Sequence, residues 1–65
     1  MSSNQLDNDR LLTRSDVVEI FAIPRRYLEL AVSRGDGPPI IRIGRLVRYR
    51  VSDIRAWIAD QEWKP

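Results

Sequence analysis

A chain of 65 residues allows one domain with a minimal core. With no Cys and no His, disulfides are excluded and a structural zinc site lacks its usual ligands. The formal net charge is only +2, and no apolar run approaches the roughly 20 residues that span a bilayer. No basic-then-apolar leader opens the chain, so the expected location is cytoplasmic, with no membrane partner. A domain this small commonly gains stability by binding a partner or copies of itself.

Residues 1–10 are polar and aperiodic and read as a disordered N-terminal tail. Structure is expected over residues 11–61. Thr13 is an N-cap with Asp16 three residues on, a capping box with a shortened acid, and Leu12 and Val17 occupy the hydrophobic-staple positions around it. Val17, Ile20 and Phe21 follow at helical spacing, which predicts a first helix over residues 14–21. Ala22-Ile23-Pro24 breaks it and starts another, because Pro is favoured only in a first turn. Leu28, Ala31 and Val32 give this second helix its inward stripe. Gly35 stops it near Ser33-Arg34, and Gly37-Pro38-Pro39 forbids continuation. Two short helices separated by three residues make a helix-turn-helix unit.

The period then changes. Ile41 and Ile43 alternate with Arg42, and Val47, Tyr49 and Val51 alternate with Arg48 and Arg50, on either side of Gly44-Arg45. This predicts a β-hairpin with one apolar face and one arginine face, and a loop of two or three residues. Ser52 is expected to cap a third helix carrying Ile54, Trp57 and Ile58, which fades after Gln61 into a tail over residues 62–65. The fold class is therefore α+β: a small winged helix-turn-helix of helix, helix, two-stranded β-hairpin wing and helix.

Charge is distributed unevenly along this plan. Between Arg25 and Arg55, eight arginines stand against Glu29, Asp36 and Asp53, a local net of +5; elsewhere three basic residues meet six acidic ones, a net of −3. Ten of the eleven basic residues are Arg, whose planar fork matches phosphates and guanine edges two bonds at a time. On charge alone, an ordinary solvated surface is an equal reading. Position separates the two.

With Leu28, Ala31 and Val32 inward, the second helix turns Arg25, Arg26, Glu29, Leu30 and Ser33 outward. Arg25 and Arg26 fall in its first turn, where a helix entering the major groove presents its base-reading residues. Tyr27 borders the inward stripe, fit to touch a phosphate or to cover the core. Arg42, Arg48 and Arg50 are expected on one hairpin face with Arg45 at the tip. Such a wing lies on the phosphate backbone and puts its tip into the adjacent minor groove. Arginines that only keep an edge from pairing with other sheets are the plainer explanation, but four exceed that need. Phe21, Tyr49 and Trp57 match inward faces and read as core. Trp63 lies beyond the last periodic residue, fit to anchor a neighbouring copy or to fold back onto the core. No nucleophile–base pair, metal-ligand cluster or glycine-rich phosphate loop is present, so neither an enzyme, a cofactor nor a small-molecule ligand is expected.

Several segments carry a family resemblance: Leu12-Thr13, Gly35-Asp36-Gly37-Pro38-Pro39, Ile43-Gly44-Arg45, Val47-Arg48-Tyr49, and Ser52-Asp53-Ile54 with Ala56-Trp57. In order and spacing the chain resembles the small excisionase and MerR-like winged-helix family over about two-thirds of its length. The resemblance implies a second helix in the major groove, read out by Arg25, Arg26 and Tyr27, and wing contacts around Arg45 and Arg48. It also implies a recombination directionality factor, which binds arrayed sites beside an attachment site, bends the DNA and assists a site-specific integrase. Double-stranded DNA is the implied partner, with cooperative head-to-tail association of copies. The chain departs from the family where Ala22 replaces a usual glycine, Pro24 a usual Ser or Thr cap, and Leu30-Ala31 a frequent Arg and Trp. An outward Leu30 suits a thymine methyl or a protein contact equally. A transcriptional regulator with the same fold, and a protein-interaction module whose arginines meet an acidic partner, are the competing readings.

Overall fold

The computed structural model describes residues 7–62. Its elements are β1 (Leu11–Leu12), α1 (Arg14–Phe21), α2 (Arg25–Arg34), β2 (Ile41–Ile43), β3 (Leu46–Arg50) and α3 (Val51–Glu62). This is an α+β winged helix-turn-helix. The wing carries one strand more than the sequence suggests, since β1 pairs antiparallel to β3 and gives a three-stranded sheet in the order β1-β3-β2. Two residues give no alternation to read, which is why β1 escapes a periodicity search.

Thr13 caps α1 as its sequence predicts. Its side chain accepts the Asp16 N–H at 3.0 Å, and the Asp16 carboxylate accepts the Thr13 N–H at 3.0 Å. α1 ends on Ala22 in the left-handed region, φ 59°, with its N–H on the Val18 carbonyl. α2 begins after Pro24, which offers no side-chain cap, and ends on left-handed Gly35, whose N–H reaches the Ala31 carbonyl at 2.7 Å. Gly37 is held to glycine by packing, because a Cβ there would stand 2.5 Å from the Ala31 Cβ.

The core consists of Leu12, Val17, Leu28, Tyr49, Val51 and Ile54, with Val18, Phe21, Ile23, Ile40, Val47 and Ile58 packed around them. Burying one such aliphatic side chain fully is worth about 1.5–3 kcal/mol, so five aliphatic positions and Tyr49, drawn from five elements, hold the domain together. Ile20, expected inward, is 41% exposed. α1 packs against β1 and β3 as well as α2, and its stripe is turned toward Val18 instead.

Two further expectations are corrected. Of the tail expected over residues 1–10, residues 1–6 lie outside the described residues, and residues 7–10 do not trail away: the Arg10 N–H bonds the Asp7 carbonyl at 2.9 Å to close a turn. That turn supplies the carbonyls of Arg10 and Asn8 to the N–H groups of Val51 and Ser52, both at 3.0 Å. Ser52 is thus inside α3 rather than its cap, and Val51 opens the helix rather than ending a strand. A helix's first N–H groups need acceptors from outside it, and here the backbone provides them. Arg55 Nη1 reinforces the join by donating to Asn8 Oδ1.

Candidate nucleic-acid interface

The candidate interface draws on the start of α2, the start of α1 and the wing. Arg25 and Arg26 occupy the first turn of α2 and are exposed, as are Glu29, Leu30 and Ser33 farther along the same helix. Arg34, at the last turn, is drawn into an ion pair with Asp36 at 3.1 Å. Tyr27 keeps an exposed edge while its ring packs against Trp57, centroids 6.2 Å apart and planes tilted by 52°. That contact ties α2 to α3 and fixes the base of the exposed helix face.

Arg25 is not a free surface arginine. Its Nη2 donates to the hydroxyl of Ser15 in the first turn of α1. Next to Ser15, Arg14 donates from Nε to the Tyr49 hydroxyl at 3.2 Å. Tyr49 is fully buried, so its hydroxyl requires such a partner, and in meeting that requirement it fixes Arg14. Neither Arg14 nor Ser15 is singled out by the sequence. Nothing in local spacing links Ser15 to Arg25 or Arg14 to Tyr49; the fold does. Arg10, counted with an acidic flank by sequence, joins Arg48 in acting on the Asp16 carboxylate.

The Asp16 pKa is held below the ordinary value of 3.8, chiefly by the Thr13 N–H. Partial desolvation opposes this, while the Thr13 hydroxyl and the charges of Arg10 and Arg48 add to it.

The wing corrects the expected arginine face. Its register pairs Ile43 with Leu46, Arg42 with Val47 and Ile41 with Arg48, across a loop of the two residues Gly44 and Arg45. Gly44 has φ +60° and Arg45 is not left-handed, the pattern of a II′ turn. Directly paired residues share a face. Leu46, Arg48 and Arg50 therefore lie with Leu11, Ile41 and Ile43, whereas Arg42 lies with Val47, Tyr49 and Leu12. Placing Ile41 and Ile43 beside Val47 and Tyr49 requires a three-residue loop; with two residues, every β2 side chain changes side.

The four hairpin arginines accordingly have different environments. Arg45 is exposed in the turn. Arg48 is half-buried and donates from Nη1 to the Val47 carbonyl at 2.8 Å. Arg50, at the root of the wing, stands 3.9 Å from Asp53. Arg42 lines a cleft of about 280 Å³ with Ala31, Val32, Pro38, Pro39 and Ile40, under the C-terminal half of α2. Trp63, the candidate self-association residue, lies outside the described residues.

A short helix pair with a three-residue turn, an exposed arginine-bearing second helix and a β-wing define a helix-turn-helix DNA-binding protein. A family model described as "Helix-turn-helix domain" matches residues 11–62, and the chain belongs to that family. No curated protein and no solved structure gives a significant match. Among the described residues, no helix is long and apolar enough to cross a membrane.

Proposed function

We propose that the protein is an architectural DNA-binding factor acting as an excisionase, a recombination directionality factor. In this reading α2 enters the major groove, with Arg25 and Arg26 on guanine edges and Tyr27, Glu29 and Ser33 nearby. Arg45 leads the wing toward the adjacent minor groove, and Arg48, Arg50 and Arg42 add phosphate-directed charge. The observation that carries it is the pair of exposed first-turn arginines on α2, in a helix-turn-helix chain with a further arginine at the wing tip. One such arginine, bidentate on guanine, contributes about 1–3 kcal/mol of discrimination.

A domain of this size covers few base pairs, so useful specificity calls for several copies side by side. Head-to-tail contacts, which do not close, suit such an array, and Trp63 is the residue we assign to them. Bending a site of 20–30 base pairs costs on the order of 1–6 kcal/mol, which several bound copies offset together. The partners are double-stranded DNA and a site-specific integrase, in the cytoplasm, with neither a cofactor nor a catalytic step in the protein itself.

The deciding experiment titrates duplex DNA from beside the protein's own gene against a scrambled duplex at two salt concentrations. A specific, salt-sensitive ladder of stepwise complexes supports the excisionase reading, and stimulation of excision in a recombination assay then completes it. One specific complex without a ladder points to a promoter-binding regulator. Equal binding of both duplexes sinks sequence-specific recognition and leaves an arginine surface for an acidic protein.

A further inference from the structure

Ile43 and Leu46 face each other directly across the wing's two-residue turn and are 50% and 51% exposed. Hairpin tips are ordinarily polar, because nothing covers them. Here the last residue of β2 and the first of β3 are both large aliphatics, on one face and in cross-strand contact range, so together they form a single apolar knob. Arg45 sits in the turn beside it, and Arg48 lies two positions along β3 on the same face. The knob follows from the register: a two-residue loop forbids Ile43 from joining Val47 and Tyr49 in the core.

An apolar knob bordered by guanidinium groups matches one kind of surface well. A minor groove offers a phosphate wall on each side and stacked base edges at its floor. Proteins that bend DNA from that groove insert aliphatic side chains at a base step and hold the walls with arginine. A second copy meeting the knob with its own knob is a poorer occupant, since the arginines around the two would repel each other. We propose that Ile43 and Leu46 act as a wedge: the wing tip enters the minor groove, partly unstacks one base step and kinks the duplex. Bending then resides in the wing, and base reading in α2. This inference rests on the reading of the wing as a DNA-contact element.

The test uses the full chain and the duplex from beside its gene, labelled at both ends for energy transfer and carrying a fluorescent adenine analogue at successive steps. Wild-type protein is expected to shorten the end-to-end distance and to raise the analogue's fluorescence several-fold at one step per bound copy. The I43T/L46T variant, changed at two half-exposed positions, is expected to keep its preference for the specific duplex, which α2 reads, while losing both signals. If the double variant does not fold, Leu46→Thr carries the same test. Arg45→Ala is expected to do the reverse, lowering the salt dependence of binding by about one charge while bound DNA stays bent.

Specific binding with a bend that I43T/L46T leaves intact overturns the wedge and leaves the proposed function standing. Loss of the stepwise ladder with the bend retained also overturns it, and assigns the knob to contact between copies. Absence of any specific complex with wild-type protein defeats the proposed function itself.

Discussion

The backbone N–H of Val51 donates to the carbonyl of Arg10 at 3.0 Å, which makes an N-terminal turn the cap of the C-terminal helix. The neighbouring bond, from Ser52 to Asn8, doubles the join. Hydrogen bonds of this kind contribute about 0.5–1.5 kcal/mol each, and they close a loop spanning most of the domain. The Val51 and Ser52 amides are therefore expected to resist hydrogen exchange far more than the first-turn amides of α2, which begins after an uncapped Pro24. Amide exchange followed by NMR decides it; equal exchange at both helix starts would show that the turn detaches in solution.

The capping box gives a stability prediction with a defined sign in pH. Asp16 has a folded pKa below its ordinary 3.8, so its contribution is complete above that value and fades as pH falls through the lower, folded one. Thr13→Ala should cost about 1 kcal/mol at neutral pH. Asp16→Asn should lower stability at pH 7 and flatten the acid limb of the stability curve, because the titrating group is gone. Urea melts at pH 7 and pH 3 measure both. A wild-type-like acid limb in the Asn variant would remove Asp16 from the account.

Much of this architecture is legible in the residues, and the failures share a physical origin. The boundaries of α1 and α2 follow from Thr13, Pro24 and Gly35, each of which acts on its own neighbours. The start of α3 does not, because its acceptors come from Asn8 and Arg10, more than forty residues upstream. The arginine face escapes the sequence for a related reason. Alternation in β2 and in β3 is visible separately, but only the loop length relates one strand's parity to the other's, and Gly44-Arg45 allows either count. Arg25 and Arg26 needed only their own helix to be located; the partners of Arg25 and Tyr49, Ser15 and Arg14, needed the fold.

Two small residues should respond in opposite directions. Ala22 holds a left-handed conformation at φ 59°, which strains a side chain with a Cβ. Ala22→Gly should stabilise the domain by about 0.5–1 kcal/mol. Gly37 has no such backbone demand, but its missing Cβ leaves room for the buried Ala31. Gly37→Ala should destabilise by about 1–3 kcal/mol through overpacking. Each kcal/mol moves the melting temperature of a domain this size by about 4–8 °C, well within the resolution of a thermal melt. A stabilised Gly37→Ala variant would mean that the loop over residues 36–39 yields where the geometry says it cannot.

The bond from Arg25 to Ser15 separates reading a base from positioning the reader. If Arg25 reads a guanine, Arg25→Ala should remove about 1–3 kcal/mol of preference for the specific duplex over a scrambled one. Ser15 holds that guanidinium from the neighbouring helix, so Ser15→Ala should weaken specific binding by a smaller factor and leave scrambled-duplex binding nearly unchanged. The double variant then distinguishes the roles. Residues acting through one another are not additive, so S15A/R25A should behave like R25A alone. Additive losses would mean that Ser15 touches the DNA independently, from the first turn of α1. In that case α1 contributes its own contact to the interface rather than serving as the brace for α2.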